Sequence, residues 1–313
     1  MSLLALLFAL VCERGLTHVL HLREWRWLDP YFDRADSAMA GQTGLAVVLA
    51  ACALIALPVL PVLLLAHWLD PHLLGLLQFA FAVFVLLFAF GPRDLQDEVD
   101  DYAAALERHD RDEALLRGKE LLESSPTTLG LGVREAVEEA IFIQANNRIF
   151  GVIFWFMVLG AGGAWLYRVS DMLRRRAAFE AARQGVPRIH GDLGSVLAFV
   201  HGVLSWLPAR LTALAYACAG SFEDAVGNWR SAVERVGPAT GVLDRSEDLL
   251  ARVGKGSLQP SLASVHPDSL DVATARGACW CTSRVPWTPA RWPRDAWSGC
   301  ARLRGRRSDG GHP

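Results

Sequence analysis

EAVEEAIFIQANNRIFGVIFWFMVLGAGGAWLYRVSDMLRRR, residues 135–176, decides the fold class. It opens on a charged helical face, turns apolar between Arg148 and Arg168, and closes on three consecutive arginines. The uncharged run Ile149–Tyr167 is 19 residues long. A helix crossing a hydrocarbon core needs about 17–25 apolar residues, so this run is long enough to span. A polar, solvated helix leads straight into it.

The rest of the chain repeats this alternation. Of 313 residues, 52% are hydrophobic, and the mean hydropathy of +0.24 is high for a water-soluble domain. Residues 43–66 and 73–90 form two further apolar runs, joined through Asp70–Pro71 into a hairpin. Pro58 and Pro61 sit inside the first, which is tolerable where neighbours satisfy the freed carbonyls. The predicted fold class is all-α: a polytopic helical membrane protein with a small acidic cytoplasmic helical domain and interfacial helices. Its parts are short apolar and interfacial helices over 1–42, a transmembrane hairpin over 43–92 and the acidic helices over 93–148. A span, a basic interfacial segment and a broken apolar helix follow over 149–222, then a polar helical region over 223–260. Residues 261–313 are rich in Arg, Trp, Pro and Gly and read as a disordered, out-of-frame tail.

A net charge of −2 gives no basic field for nucleic acid, so the expected partners are the lipid bilayer and a protein or small-molecule ligand. The six cysteines lack zinc-site spacing. Asp94, Asp97 and Asp101 fall on one helical face and are metal candidates, although a solvated face explains them as well. Glu135, Glu139 and Asn146 share a stripe that runs into Asn147 and Arg148 at the membrane entrance, where polar groups are costly unless partnered. Arg210 follows Pro208 inside the apolar segment 193–222. That segment is expected to lie in the interface or to re-enter, with the helix broken at the proline. Among motifs, no P-loop, G-x-S-x-G or H-E-x-x-H occurs.

Several blocks together resemble the AmpE proteins: residues 1–15, DLQDEVDDYAAALERHD with EALLRGKELL over 94–122, residues 135–168, and LSWLPARLTALAYACAG over 204–220. AmpE is grouped with the adenosylcobinamide-phosphate synthases CobD and CbiB. Those enzymes share the positions of Glu135, Asn146, Gly163, Tyr167, Arg168 and the Pro208–Leu211 block. Their Asn-Thr-Leu-Asp-Ser-Met block is reduced here to Val169-Ser170-Asp171-Met172, and two other polar blocks differ. The resemblance therefore implies an AmpE-like regulator of β-lactamase induction in the bacterial inner membrane, a multi-pass protein with a nucleotide as its only suggested ligand. The alternatives are an amide synthase of the cobinamide type and a non-catalytic scaffold. The candidate site residues are Glu135, Glu139, Asn146, Asn147, Arg148, Tyr167, Arg168 and Arg210.

Overall fold

The computed structural model describes residues 2–16, 28–39, 44–69, 75–90, 95–122, 133–184, 192–234 and 241–263. The Asp70–Pro71 turn, Asp94, the linker over 124–132, the basic stretch 185–188 and the tail from 264 lie outside them. The described elements are helical: α1 (Ser2–Leu16), α2 (Leu28–Met39), α3 (Leu45–Leu69), α4 (Gly75–Phe90), α5 (Leu95–Glu107), α6 (Arg111–Leu122) and α7 (Val133–Ala145). A π-helical segment (Asn146–Phe150) then leads into α8 (Gly151–Gln184), followed by α9 (Leu193–Ala219), α10 (Phe222–Glu234) and α11 (Val242–Ala263). Among the described residues, four stretches are long and apolar enough, by length and composition, to cross a membrane: 45–69, 75–107, 135–181 and 193–219. The protein is an all-α polytopic membrane protein. Leu45, Leu57, Leu64, Leu76 and Phe84 are exposed on its outer surface, where water would be a poor solvent for them.

Proline carbonyls explain how the spans tolerate their breakers. A proline has no N–H, so the carbonyl four residues before it loses its helical donor. Pro58 frees the carbonyl of Leu54, and the Tyr31 hydroxyl of α2 donates to it at 3.1 Å. Pro208 frees the carbonyl of Leu204, and the Trp155 indole donates to that at 3.0 Å. This overturns the expected break at Pro208. With its orphan carbonyl satisfied from outside, α9 runs unbroken through the proline for 27 residues. That length, with its hydropathy, makes α9 a candidate span rather than the expected interfacial or re-entrant segment.

The 34-residue α8 is not straight. Its helical dihedrals fail at Gly160, where φ is +68°. A straight helix rises 1.5 Å per residue and would hold Asn146 and Tyr167 about 31 Å apart. Instead the Asn146 amide and the Tyr167 hydroxyl lie 3.5 Å apart. A Cβ added to Gly163 would sit 2.5 Å from the carbonyl oxygen of Trp155, and one added to Gly151 would strike the Tyr167 ring. The chain therefore doubles back at Gly160 as a helical hairpin, so the run 149–167 does not cross as the single straight span its length predicts, because its two ends lie side by side. The left-handed backbone that reversal uses is costly for any residue with a side chain.

Two apolar cores result. The first gathers α1 to α4, the α8 hairpin and the start of α9, down to Leu193 and Leu197. The second gathers α5, α6, α7, α10 and α11 around the far half of α9, from Ala209 to Ala217. The acidic helices over 93–148 thus share one core with the polar region over 223–260. α9 crosses from one core to the other, and so does the chain between α7 and α8.

Candidate functional site

Both crossings are made by polar residues, and these touch. On the first strand of the crossing stand Asn146 and Asn147, in the π segment. On α9 stand His201, Ser205 and Thr212. From the returning limb of α8 come Tyr167, Arg168, Ser170 and Asp171. All of them are buried. The hairpin over 148–166 is therefore an excursion whose two polar ends, 146–147 and 167–171, are brought back against each other and against one face of α9.

The amide half of the cluster is closely knit. The Asn146 amide nitrogen donates to Asn147 Oδ1 at 3.0 Å and to Ser205 Oγ at 3.2 Å. Thr212 donates to Asn146 Oδ1 at 3.0 Å, and the Tyr167 hydroxyl donates to Asn147 Oδ1 at 3.3 Å. Just upstream, the Tyr216 hydroxyl caps the carbonyl of Phe142 at 3.1 Å, which anchors the end of α7 to α9.

The ionic half is built around Asp171. Its carboxylate lies 2.8 Å from Arg174 and from Arg175 and 3.4 Å from Arg168. Arg174 also reaches Glu247 of α11 at 3.1 Å. Helical spacing accounts for the local part, since residues three and four apart share a face. Three guanidiniums facing two carboxylates leave one net positive charge in a region that is buried apart from Arg175, whose side chain keeps 20% of its surface exposed. Several buried donors here make no hydrogen bond: Asn147 Nδ2, Arg168 Nε and Arg175 Nη2. Buried polar atoms are normally satisfied. A surplus of donors together with surplus positive charge is suited to a ligand rich in anionic oxygen, because guanidiniums bind phosphate and carboxylate through paired N–H groups.

Four of the residues singled out from the sequence meet here: Asn146, Asn147, Tyr167 and Arg168. Arg148 lies beside them, held by Glu98 of α5 at 2.8 Å, and within electrostatic range of Arg168 and Arg175. The others stand apart. Glu135 is exposed, and Glu139 is bound to Lys255 of α11 at 2.8 Å. Arg210 turns away: its guanidinium stacks 4.0 Å from the centre of the Trp206 ring and donates to the Trp206 carbonyl at 2.8 Å. Asp97 and Asp101 are exposed on α5, with Asp101 3.9 Å from Arg117. Among the described residues no group of three His, Cys, Asp or Glu side chains converges as a metal site would.

Sequence reading passed over Ser170, Asp171, Arg174, Arg175, His201, Ser205, Thr212 and Glu247. The arginines at 174–176 read as an interfacial basic run, yet Arg174 is 1% exposed. The signal that would have found them is Asp171 itself. It is an acid four residues beyond an apolar run, with arginines at i−3, i+3 and i+4.

A family model described as CobD/Cbib protein matches residues 7–241, which takes in the hairpin, both seam crossings and all of α9. The chain belongs to the CobD/Cbib family. Among curated proteins it is similar to the "Cobalamin biosynthesis protein CobD" of Stutzerimonas stutzeri, 34% identical over 176 residues, covering 56% of this chain and 55% of that one. It is also similar to the "Cobalamin biosynthesis protein CobD" of Chromobacterium violaceum, 32% identical over 159 residues, covering 50% and 49%. The chain spans about half the length of these curated relatives. No solved structure matches it. These matches overturn the expected AmpE-like regulator of β-lactamase induction, for which they offer nothing. That expectation leaned on polar blocks the chain lacks. What it undervalued was the remnant Ser170-Asp171, which the fold places at the middle of the cluster.

Proposed function

We propose that this CobD/Cbib family member is a membrane amide synthase of cobalamin biosynthesis, acting in the bacterial inner membrane. In this reading it joins the amine of an aminopropanol phosphate to a corrinoid carboxyl group activated by a nucleoside triphosphate, the C–N bond forming as the activated C–O bond breaks and the carboxyl oxygen leaves on the phosphate. One observation carries it: a largely buried cluster with three guanidiniums against two carboxylates, among whose donors Asn147 Nδ2, Arg168 Nε and Arg175 Nη2 make no hydrogen bond. Both substrates are oxyanions, one a phosphate and the other a carboxylate, so both present the acceptors the cluster lacks.

The chain's own residues then have distinct tasks. Arg168 and Arg175 hold anionic oxygen. Asp171 and Glu247 keep the guanidiniums apart and pointed. The amide network of Asn146, Asn147 and Tyr167 sets the distance between the two limbs of the hairpin. Burial excludes water, which would otherwise compete with the amine for an activated carboxyl group.

The test is complementation. The gene is expressed in a strain lacking its own synthase, on medium where growth requires cobalamin made from the corrinoid precursor. Growth with the wild-type chain, lost in Arg168→Ala at equal membrane abundance, is the expected result. A wild-type protein that accumulates in the membrane and restores no growth refutes the reading.

A further inference from the structure

His201 is the one imidazole in the cluster, and the function just proposed gives it no task. It is fully buried on α9, with its ring centre 5.0 Å from that of Tyr167. Its Nδ1 lies 3.0 Å from Ser170 Oγ. Ser170 has a single hydroxyl hydrogen and donates it to the carbonyl of Tyr167 at 2.7 Å. The serine oxygen must therefore accept, which places the imidazole hydrogen on Nδ1 and leaves a lone pair on Nε2. Nε2 is buried and makes no hydrogen bond; Asp171 Oδ1 lies 3.6 Å from it. Two acceptors thus face each other across a gap too long for a hydrogen bond between them. An ammonium group, a donor to both, completes this arrangement.

We propose that His201 is the base that removes a proton from the substrate ammonium, with Ser170 and Asp171 as its positioning residues. This rests on the synthase reading. An amine attacks a carboxyl carbon only through a free lone pair, and an alkylamine at neutral pH is protonated. In the step, an N–H bond of the ammonium breaks, its electron pair stays on the amine nitrogen, and the proton passes to Nε2. The imidazolium formed faces the Asp171 carboxylate, which offsets its charge. The other charged groups around the ring are Arg168, Arg174 and Arg175 of α8, with Glu247 of α11 reached through Arg174. The carboxylates of Asp171 and Glu247 are already engaged by these guanidiniums, whereas the lone pair of Nε2 is uncommitted.

The experiment compares two nucleophiles. Detergent-solubilised full-length protein is given a corrin carboxylic acid, ATP to activate it, and either aminopropanol phosphate or its aminooxy analogue, whose nitrogen is unprotonated at neutral pH. Products are counted by mass spectrometry. His201→Gln is expected to lower the rate with the amine by about 10²-fold or more, while changing the aminooxy rate less than about threefold. Ser170→Ala keeps the ring but removes the acceptor that fixes its tautomer. It should lower the amine rate by a smaller factor and spare the aminooxy rate. An equal loss with both nucleophiles makes His201 a packing residue and overturns the proposal, as does an undiminished amine rate. If His201→Gln does not accumulate, the same comparison in Ser170→Ala decides. A wild-type protein that makes neither product refutes the synthase reading itself, whereas one that makes the amide, with His201→Gln equally competent, refutes only the role of His201.

Discussion

Replacing Asp171 by Asn tests the ionic half of the site most directly. The substitution keeps the shape of the side chain and removes one negative charge from among Arg168, Arg174, Arg175 and His201, which lie 3.4, 2.8, 2.8 and 3.6 Å away. Asp171 is 0% exposed and Arg174 1%, so water cannot replace the lost partner. The cluster's net charge rises from one positive to two. Breaking a buried ion pair by removing one member costs about 3–5 kcal/mol, because the remaining charge stays buried and uncompensated. For a chain of this size that corresponds to a loss of roughly 5–8 °C in Tm. The assay is thermal unfolding in detergent, followed by size-exclusion chromatography of the surviving monodisperse fraction. Adding Arg174→Met to Asp171→Asn removes one of the stranded cations and should recover part of the loss. The Arg174→Met change also leaves Glu247 without that partner, so recovery is expected to be incomplete. If Asp171→Asn melts within about 1 °C of wild type, the cluster is hydrated in the membrane and the reasoning from burial fails.

Three further outcomes follow from particular contacts. Trp155→Phe strands the Leu204 carbonyl that Pro208 has already deprived of a donor, at a cost of about 1–3 kcal/mol. Pro208→Ala restores a backbone N–H, so in the double variant a melting experiment should show the Trp155→Phe penalty largely cancelled; simple addition of the two effects would contradict the capping account. Gly160→Ala meets no neighbouring atom but forces a side chain into a positive-φ backbone that only glycine readily adopts, costing roughly 1–3 kcal/mol, and a melting temperature equal to wild type would argue against a reversal at that residue. Arg210→Ala should complement a synthase-deficient strain as well as wild type while Arg168→Ala does not, since Arg210 is spent on Trp206 outside the cluster; equal loss in both would bring Arg210 into the site.

Hydropathy alone determined the all-α membrane class and marked the first two candidate spans, because the cost of burying charge in lipid is written residue by residue and needs no long-range information. It also marked Asn146, Asn147, Tyr167 and Arg168, polar groups at the ends of an apolar run. Which polar groups meet was decided by the tertiary structure. The reversal at Gly160 rests on one backbone dihedral, and glycine in an apolar run reads equally well as a helix-packing residue. Without that reversal Asn146 and Tyr167 belong to opposite ends of a straight helix, and His201 and Glu247 to unrelated segments. The same holds for the prolines: Pro208 in isolation predicts a broken helix, and only Trp155, 53 positions earlier, supplies the donor that keeps it whole. Composition and periodicity record what each residue costs to bury. A partner that offsets that cost from a distant segment becomes visible only once the chain has folded.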